Sequence, residues 1–205
     1  MAASSVLAFW LVALALIACP GADWAFTISA GLRSRSVVPA VGGLLLGYLA
    51  VTAVVAAGVG ALVAGSPAIL TGLTALGGAY LVWHGATTFA RPPAPTAVAQ
   101  GSLGRGWTTV VQGMGVSGLN PKGLLIFLAL LPQFTNTRGA WPVGVQIGLL
   151  GLVFVATCGL FYLALGMLVR TVLHARPMAA RVVGRLSGGA MVLVGALLLI
   201  DRLAS

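Results

Sequence analysis

The sequence predicts an all-α polytopic membrane protein: six transmembrane helices in two inverted three-helix repeats, with the first and fourth helices broken. Three observations predict it. The 205 residues are 60% apolar and carry only eleven basic and two acidic side chains, whereas a soluble domain is about a quarter charged. No Asp, Glu, Lys or Arg occurs in residues 36–90 or 139–169. A spanning helix needs about 20 apolar residues, so the first run holds two helices and the second holds one. Finally, the arginines fall in short segments between apolar runs, as they do at the ends of membrane spans.

Span 1 covers residues 4–32 and is interrupted at Cys19-Pro20-Gly21-Ala22-Asp23. Proline removes a backbone donor and clashes with the preceding turn. In hydrocarbon such a break survives only where protein or a water-filled cavity satisfies the freed backbone. No basic residue precedes this apolar stretch, so it reads as a retained helix and not as a secretory signal. Leu32-Arg33-Ser34-Arg35-Ser36 is a short basic loop. Span 2 covers 38–64, with Gly43 and Gly47 as a small-xxx-small pair for close helix packing. Gly65-Ser66-Pro67 is a turn, and span 3 covers 68–90.

The only long linker, residues 91–105, is rich in Pro, Ala and Thr and suits an extended connector. Span 4 covers 106–134 and contains Leu119-Asn120-Pro121-Lys122. Residues 136–140 form a turn, span 5 covers 141–169, residues 170–181 form a basic loop, and span 6 covers 182–200. The domain reading is therefore a repeat over 1–90, a linker over 91–105 and a second repeat over 106–205.

Charge gives the orientation. The loops between spans 1 and 2, 3 and 4, and 5 and 6 carry Arg33, Arg35, Arg91, Arg105, Arg170, Arg176, Arg181 and Arg185, whereas the other side carries Arg138 and Arg202. The arginine-rich side is cytoplasmic by the positive-inside rule, which puts both termini outside and predicts a bacterial inner-membrane location. Trp10 and Trp141 then fall near outer span ends, and Trp83 and Trp107 near inner ends. The same scattering of arginines argues that the net charge of +9 is not a nucleic-acid footprint.

Pro20 placed over Pro121, an offset of 101 residues, also brings Phe26 onto Phe127. Each proline breaks the first helix of a three-helix half. Three is odd, so the second half enters the membrane upside down. Transporters built this way place substrate near the midplane, at discontinuous helices. The two breaks hold the charges expected deep in the membrane, Asp23 and Lys122. A charge there costs at least ~2.5 kcal/mol on insertion scales and is usually functional or paired. The two groups could simply neutralise each other. Alternatively, they suit a zwitterion: Asp23 accepts an ammonium and Lys122 holds a carboxylate. Asn120, Gly21, Pro20 and Pro121 supply freed backbone and polar groups, and the helix N-termini after the breaks favour an anion. Asp23 is also the candidate proton-coupling residue.

At these motifs the chain resembles the LysE/RhtB family of bacterial amino-acid exporters, over nearly its whole length. Cys19-Pro20-Gly21-Ala22-Asp23 is similar to the family's helix 1 region. Gly78-Ala79-Tyr80-Leu81 with Trp83 and Gly85 is similar to its helix 3 signature. Leu119-Asn120-Pro121-Lys122, with Phe127 and Leu131-Pro132-Gln133-Phe134, is similar to its most specific motif, and residues 189–199 fit its small-residue final helix. The resemblance implies export of a neutral or basic amino acid or a homoserine-like compound, driven by proton motive force. The second proline of the helix 1 motif is Ala22 here, which predicts a softer break.

Other signals carry less. Gly113-Met114-Gly115-Val116-Ser117-Gly118 spells GxGxxG, but a dinucleotide site needs a preceding strand and an acidic residue about 20 positions on. These glycines read as helix-packing surface. His84 and His174 read as structural and solvated, respectively. With two acidic residues and no metal, phosphate or triad spacing, neither an enzyme nor a bound cofactor is expected. A metal-cation exporter on the same fold wants more oxygen or sulfur ligands. A thiol-redox carrier wants Cys19 and Cys158 to meet, yet the repeat partner of Cys19 is Asn120. The expected partners are an amino-acid substrate and the bilayer. Small-residue faces are compatible with a homodimer but do not demand one.

Overall fold

In a computed structural model, residues 3–34, 36–65 and 106–171 are described, together with single positions between 71 and 90 and between 185 and 200. All regular structure among them is helical. Span 1 is two helices, α1 (Ala3–Ile17) and α2 (Ala22–Arg33), bent by 62°. Span 2 is one unbroken helix, α3 (Val38–Gly65). Span 4 is again two helices, α4 (Trp107–Gly118) and α5 (Pro121–Leu125), and the bend there is 51°. The path of α5 continues through a π turn at Ile126–Leu130 and a 3-10 turn at Leu131–Phe134. Span 5 is α6 (Val143–Thr171). The described positions of residues 71–90 and 185–200 are helical too. The order of bent span followed by unbroken span thus occurs twice among the described residues.

Several bounds differ from expectation. Ala22 and Asp23 already belong to the first turn of α2, so the first break is residues 18–21 and not 19–23. Arg170 is helical and extends α6 beyond the expected loop. The Ser66-Pro67 turn, the 91–105 linker, most of the 170–181 loop, His84 and His174 lie outside the described residues.

At about 1.5 Å per residue, the 28 residues of α3 and the 29 of α6 are each long enough to cross a bilayer. Their outward side chains are apolar: Val54 and Leu160 are more than two-thirds exposed. Such surface would be a liability in water and is ordinary against lipid. Trp10, Trp83, Trp107 and Trp141 are also exposed, as interfacial anchors should be.

In lipid, helices associate through close contact and polar bonds, because apolar burial gives little advantage over lipid tails. The α3–α4 seam follows this rule. A Cβ on Gly113 would stand 2.8 Å from the Ala40 carbonyl oxygen and 2.9 Å from Gly43 Cα. Gly47 meets Met114 and Ser117 in the same way. The Gly43/Gly47 pair therefore packs on α4. Of the three glycines in the GxGxxG string, Gly113 packs closely on α3, whereas Gly115 and Gly118 have no close neighbour among the described residues. On its other side α3 meets α6, where Gly144 approaches the Ala56 carbonyl. This leaves α3 central, with α1 and α2 closing against α6 and burying Phe9, Leu16 and Ile17.

Between α5 and α6 the chain turns as expected at residues 136–140. Gln146 holds the turn: its amide donates to the carbonyls of Asn136 (2.9 Å) and Trp141 (2.7 Å) and accepts from the Asn136 N–H (2.9 Å).

Candidate functional site

A helix that stops inside a membrane leaves its last carbonyls without intrahelical partners, so the end of α1 poses an accounting problem. Leu14 O accepts from Ala18 N at 2.9 Å. Leu16 O accepts from Cys19 N at 3.1 Å and from Lys122 Nζ at 3.3 Å. Ile17 O accepts the indole N–H of Trp24 at 2.8 Å. Cys19 O accepts from Lys122 Nζ at 2.9 Å. The break is thus completed by Trp24 from just across it and by the Lys122 ammonium from the other repeat. A cation at a helix C-terminus also meets the negative end of the helix dipole.

Asp23 occupies the first turn of α2, where an anion meets the positive end of that dipole. It is fully buried. Three neutral donors hold it: Tyr48 Oη to Oδ2 at 2.5 Å, Tyr162 Oη to Oδ2 at 3.2 Å, and Asn120 Nδ2 to Oδ1 at 3.1 Å. Tyr48 comes from α3, Tyr162 from α6 and Asn120 from the second break, so three other parts of the chain converge on one carboxylate. The Tyr48 ring is fixed by Phe127 (centroids 5.9 Å, stacked) and Phe154 (5.1 Å, edge-on). Gly123 makes room for it, since a Cβ there would lie 2.7 Å from Tyr48 Cε1.

Asn120 is the N-cap of α5, and its Oδ1 accepts the backbone N–H of Lys122 at 3.1 Å. That bond uses the amide oxygen and leaves the amide nitrogen to reach Asp23. Lys122 is itself buried. Its ammonium lies 3.3 Å from where a Gly21 Cβ would be, so any side chain at Gly21 would crowd it.

The structure brings together Asp23, Asn120, Lys122 and Gly21 from the sequence-derived set. Pro20 is buried at the first break, and Pro121 is the first residue of α5. Three details depart from expectation. Asp23 and Lys122 do not neutralise each other by contact: among the described residues no ion pair joins them, and each is satisfied by other groups. The helix N-termini after the breaks are not open anion sites, because Asp23 occupies one and the Asn120 side chain caps the other. The freed carbonyls are also taken: Gly21 O accepts Ala25 N, Asn120 O accepts Leu124 N, and Cys19 O holds Lys122. The first break, with Ala22 as the first residue of α2, bends its span by 62°, against 51° at the second.

Sequence reasoning missed Tyr48 and Tyr162. Tyrosine in a membrane helix normally sits at the interface, with its hydroxyl toward water. A tyrosine well inside a long span is the signal that could have found both.

A carboxylate offers about four acceptor positions and an ammonium three donors. Asp23 uses three of its positions and Lys122 uses two of its donors. Each therefore retains capacity for one further hydrogen bond. Cys19 and Cys158 are both buried, and no disulfide joins them.

The chain matches the family described as LysE type translocator over residues 14–202. It is also 33% identical over 147 residues to a protein of Vibrio cholerae serotype O1 described as "uncharacterized membrane protein", an alignment covering 70% of this chain and 71% of that one. No solved structure matches the chain.

Proposed function

The chain belongs to the LysE type translocator family and is a membrane transporter, and from that premise we propose that it exports a small amino acid or a close derivative across the bacterial inner membrane. The observation that carries this reading is the arrangement of the two charges. An acid from one helix break and a base from the other are buried in one polar cluster, are not paired with each other, and each can take one more hydrogen bond. A zwitterion supplies what both lack: N–H donors for Asp23 and a carboxylate for Lys122. The guest is neutral, basic or homoserine-like, and export draws on proton motive force with Asp23 as the proton-coupling residue. The two repeats, 1–90 and 106–205, rock about this site, with the 91–105 linker and the arginine-rich loops cytoplasmic and both termini outside.

A metal-cation exporter is less well supported. Among the described residues no three His, Cys, Asp or Glu side chains converge.

The test is efflux from proteoliposomes loaded with a panel of homoserine, its lactone and nineteen common amino acids (proline, a secondary amine, left out), one compound at a time, with and without an imposed proton gradient. Efflux of at least one member of the panel, accelerated by protons entering in exchange, is the expected result. No efflux of any member would overturn the substrate class. Efflux indifferent to the gradient would overturn the coupling.

A further inference from the structure

Buried hydroxyls on the helices of this protein have a standard solution. Thr52 donates to the carbonyl of Tyr48 at 2.7 Å, Ser117 to that of Gly113 at 3.1 Å and Thr157 to that of Val153 at 2.7 Å, each four residues back. Thr27 does not follow them. It is fully buried, and its Oγ1 is the one fully buried side-chain oxygen or nitrogen without a hydrogen-bond partner among the described residues. Leaving such a group unpaired is costly, and back-bonding to the carbonyl of Asp23 would be the usual remedy.

Its position is informative. Thr27 lies four residues after Asp23 on α2, so the two share a face, with Cβ atoms about 5–6 Å apart. That face runs along α6. Asp23 meets Tyr162 at one end, and at the other a Cβ on Gly31 would stand 2.8 Å from the Gly166 carbonyl. Thr27 sits between them on the seam.

Resting on the export reading above, we propose that Asp23 and Thr27 together form the ammonium-binding half of the site, and that the pair recognises a protonated primary amine. A primary ammonium has three N–H donors. One fills the remaining acceptor position of the Asp23 carboxylate, and a second goes to Thr27 Oγ1. The orphan hydroxyl is then the acceptor that a bare carboxylate, already holding three donors, does not provide. Thr27 contacts the guest directly and sets its specificity: an amine with fewer N–H groups loses the second bond.

The experiment uses the intact protein in proteoliposomes, the member of that panel that the wild type carries fastest, and its N,N-dimethyl derivative, which keeps one N–H. Thr27→Val matches the shape and removes the hydroxyl. Thr27→Ser keeps it. The expected result is a KM for the primary amine raised about tenfold or more in Thr27→Val, the size of one lost bond to a charged group. Thr27→Ser should stay within about twofold of wild type, and the dimethyl derivative should show the same KM in wild type and Thr27→Val. A Thr27→Val variant with wild-type KM overturns the proposal, and so does an equal shift for both substrates, which would mark a packing effect. If Thr27→Val does not elute as a monodisperse species, Thr27→Ala takes its place with the same criteria. A wild type that carries no member of the panel overturns the export reading itself, which separates that failure from a failure of Thr27.

Discussion

Two breaks interrupt this protein, and they are completed in different ways. The first spans residues 18–21, bends its span by 62° and depends on the second for its ammonium cap. The second has only Leu119 and Asn120 between its helices, bends by 51° and carries its own cap in Asn120. Yet that cap also reaches out: the Asn120 amide that starts α5 holds Asp23 of the first break. The two prolines are sequence equivalents, but the breaks are not copies of each other. Each lends a polar group to the other, so neither half of the site is complete within its own repeat. The two breaks thus build an asymmetric site, with an acid from one and a base from the other.

The exchange can be broken most severely at Asn120. Asn120→Ala loses an N-cap and a bond to a buried carboxylate together, a destabilisation of about 2–4 kcal/mol, read as a fall in thermal unfolding temperature in detergent. Asn120→Asp keeps the capping oxygen but sets a second carboxylate against Asp23. If the residue mattered only locally, Asn120→Asp would restore stability; the exchange predicts that it does not.

Next come the donors on Asp23. Tyr48→Phe should cost about 1.5–3 kcal/mol, the usual range for a hydrogen bond to a charged group. Tyr162→Phe should cost less, because its bond is longer, 3.2 Å against 2.5 Å. The two hydroxyls share Oδ2, so the double variant should depart from additivity. Equal and additive losses would mean that the carboxylate is not the common partner.

The smallest effect is expected at Ala22. Ala22 is the first residue of α2, a position that tolerates proline because its N–H has no intrahelical partner. Ala22→Pro should leave the fold intact and raise stability by at most about 1 kcal/mol, measured by the same unfolding assay. A clear loss would show that the start of α2 needs the Ala22 N–H.

Much of this was legible in the sequence, for physical reasons. Charge-free runs of bilayer length give spans, and Pro20 and Pro121 give breaks, because hydrocarbon punishes both charge and unsatisfied backbone. The nearness of Asp23, Asn120 and Lys122 followed from the repeat. The cost of a buried charge says that a partner is needed but not which one. A direct ion pair was one of two readings the sequence left open, and on the acid side the neutral donors Tyr48, Tyr162 and Asn120 take that role. The contribution of the two tyrosines depends on the helical register of α3 and α6, which near-uniformly apolar sequences hardly specify. Thr27 was invisible for the same reason: its lack of a partner is a property of packing, and no residue type announces it.

The central claim is that the acid of one break and the base of the other serve a single guest. Initial efflux rates of the best-carried amino acid from proteoliposomes containing wild type, Asp23→Asn or Lys122→Gln test it most directly. Both variants should elute as monodisperse protein and transport at least about tenfold more slowly, the scale of one lost hydrogen bond to a charged group. Wild-type rates in either variant would contradict the account.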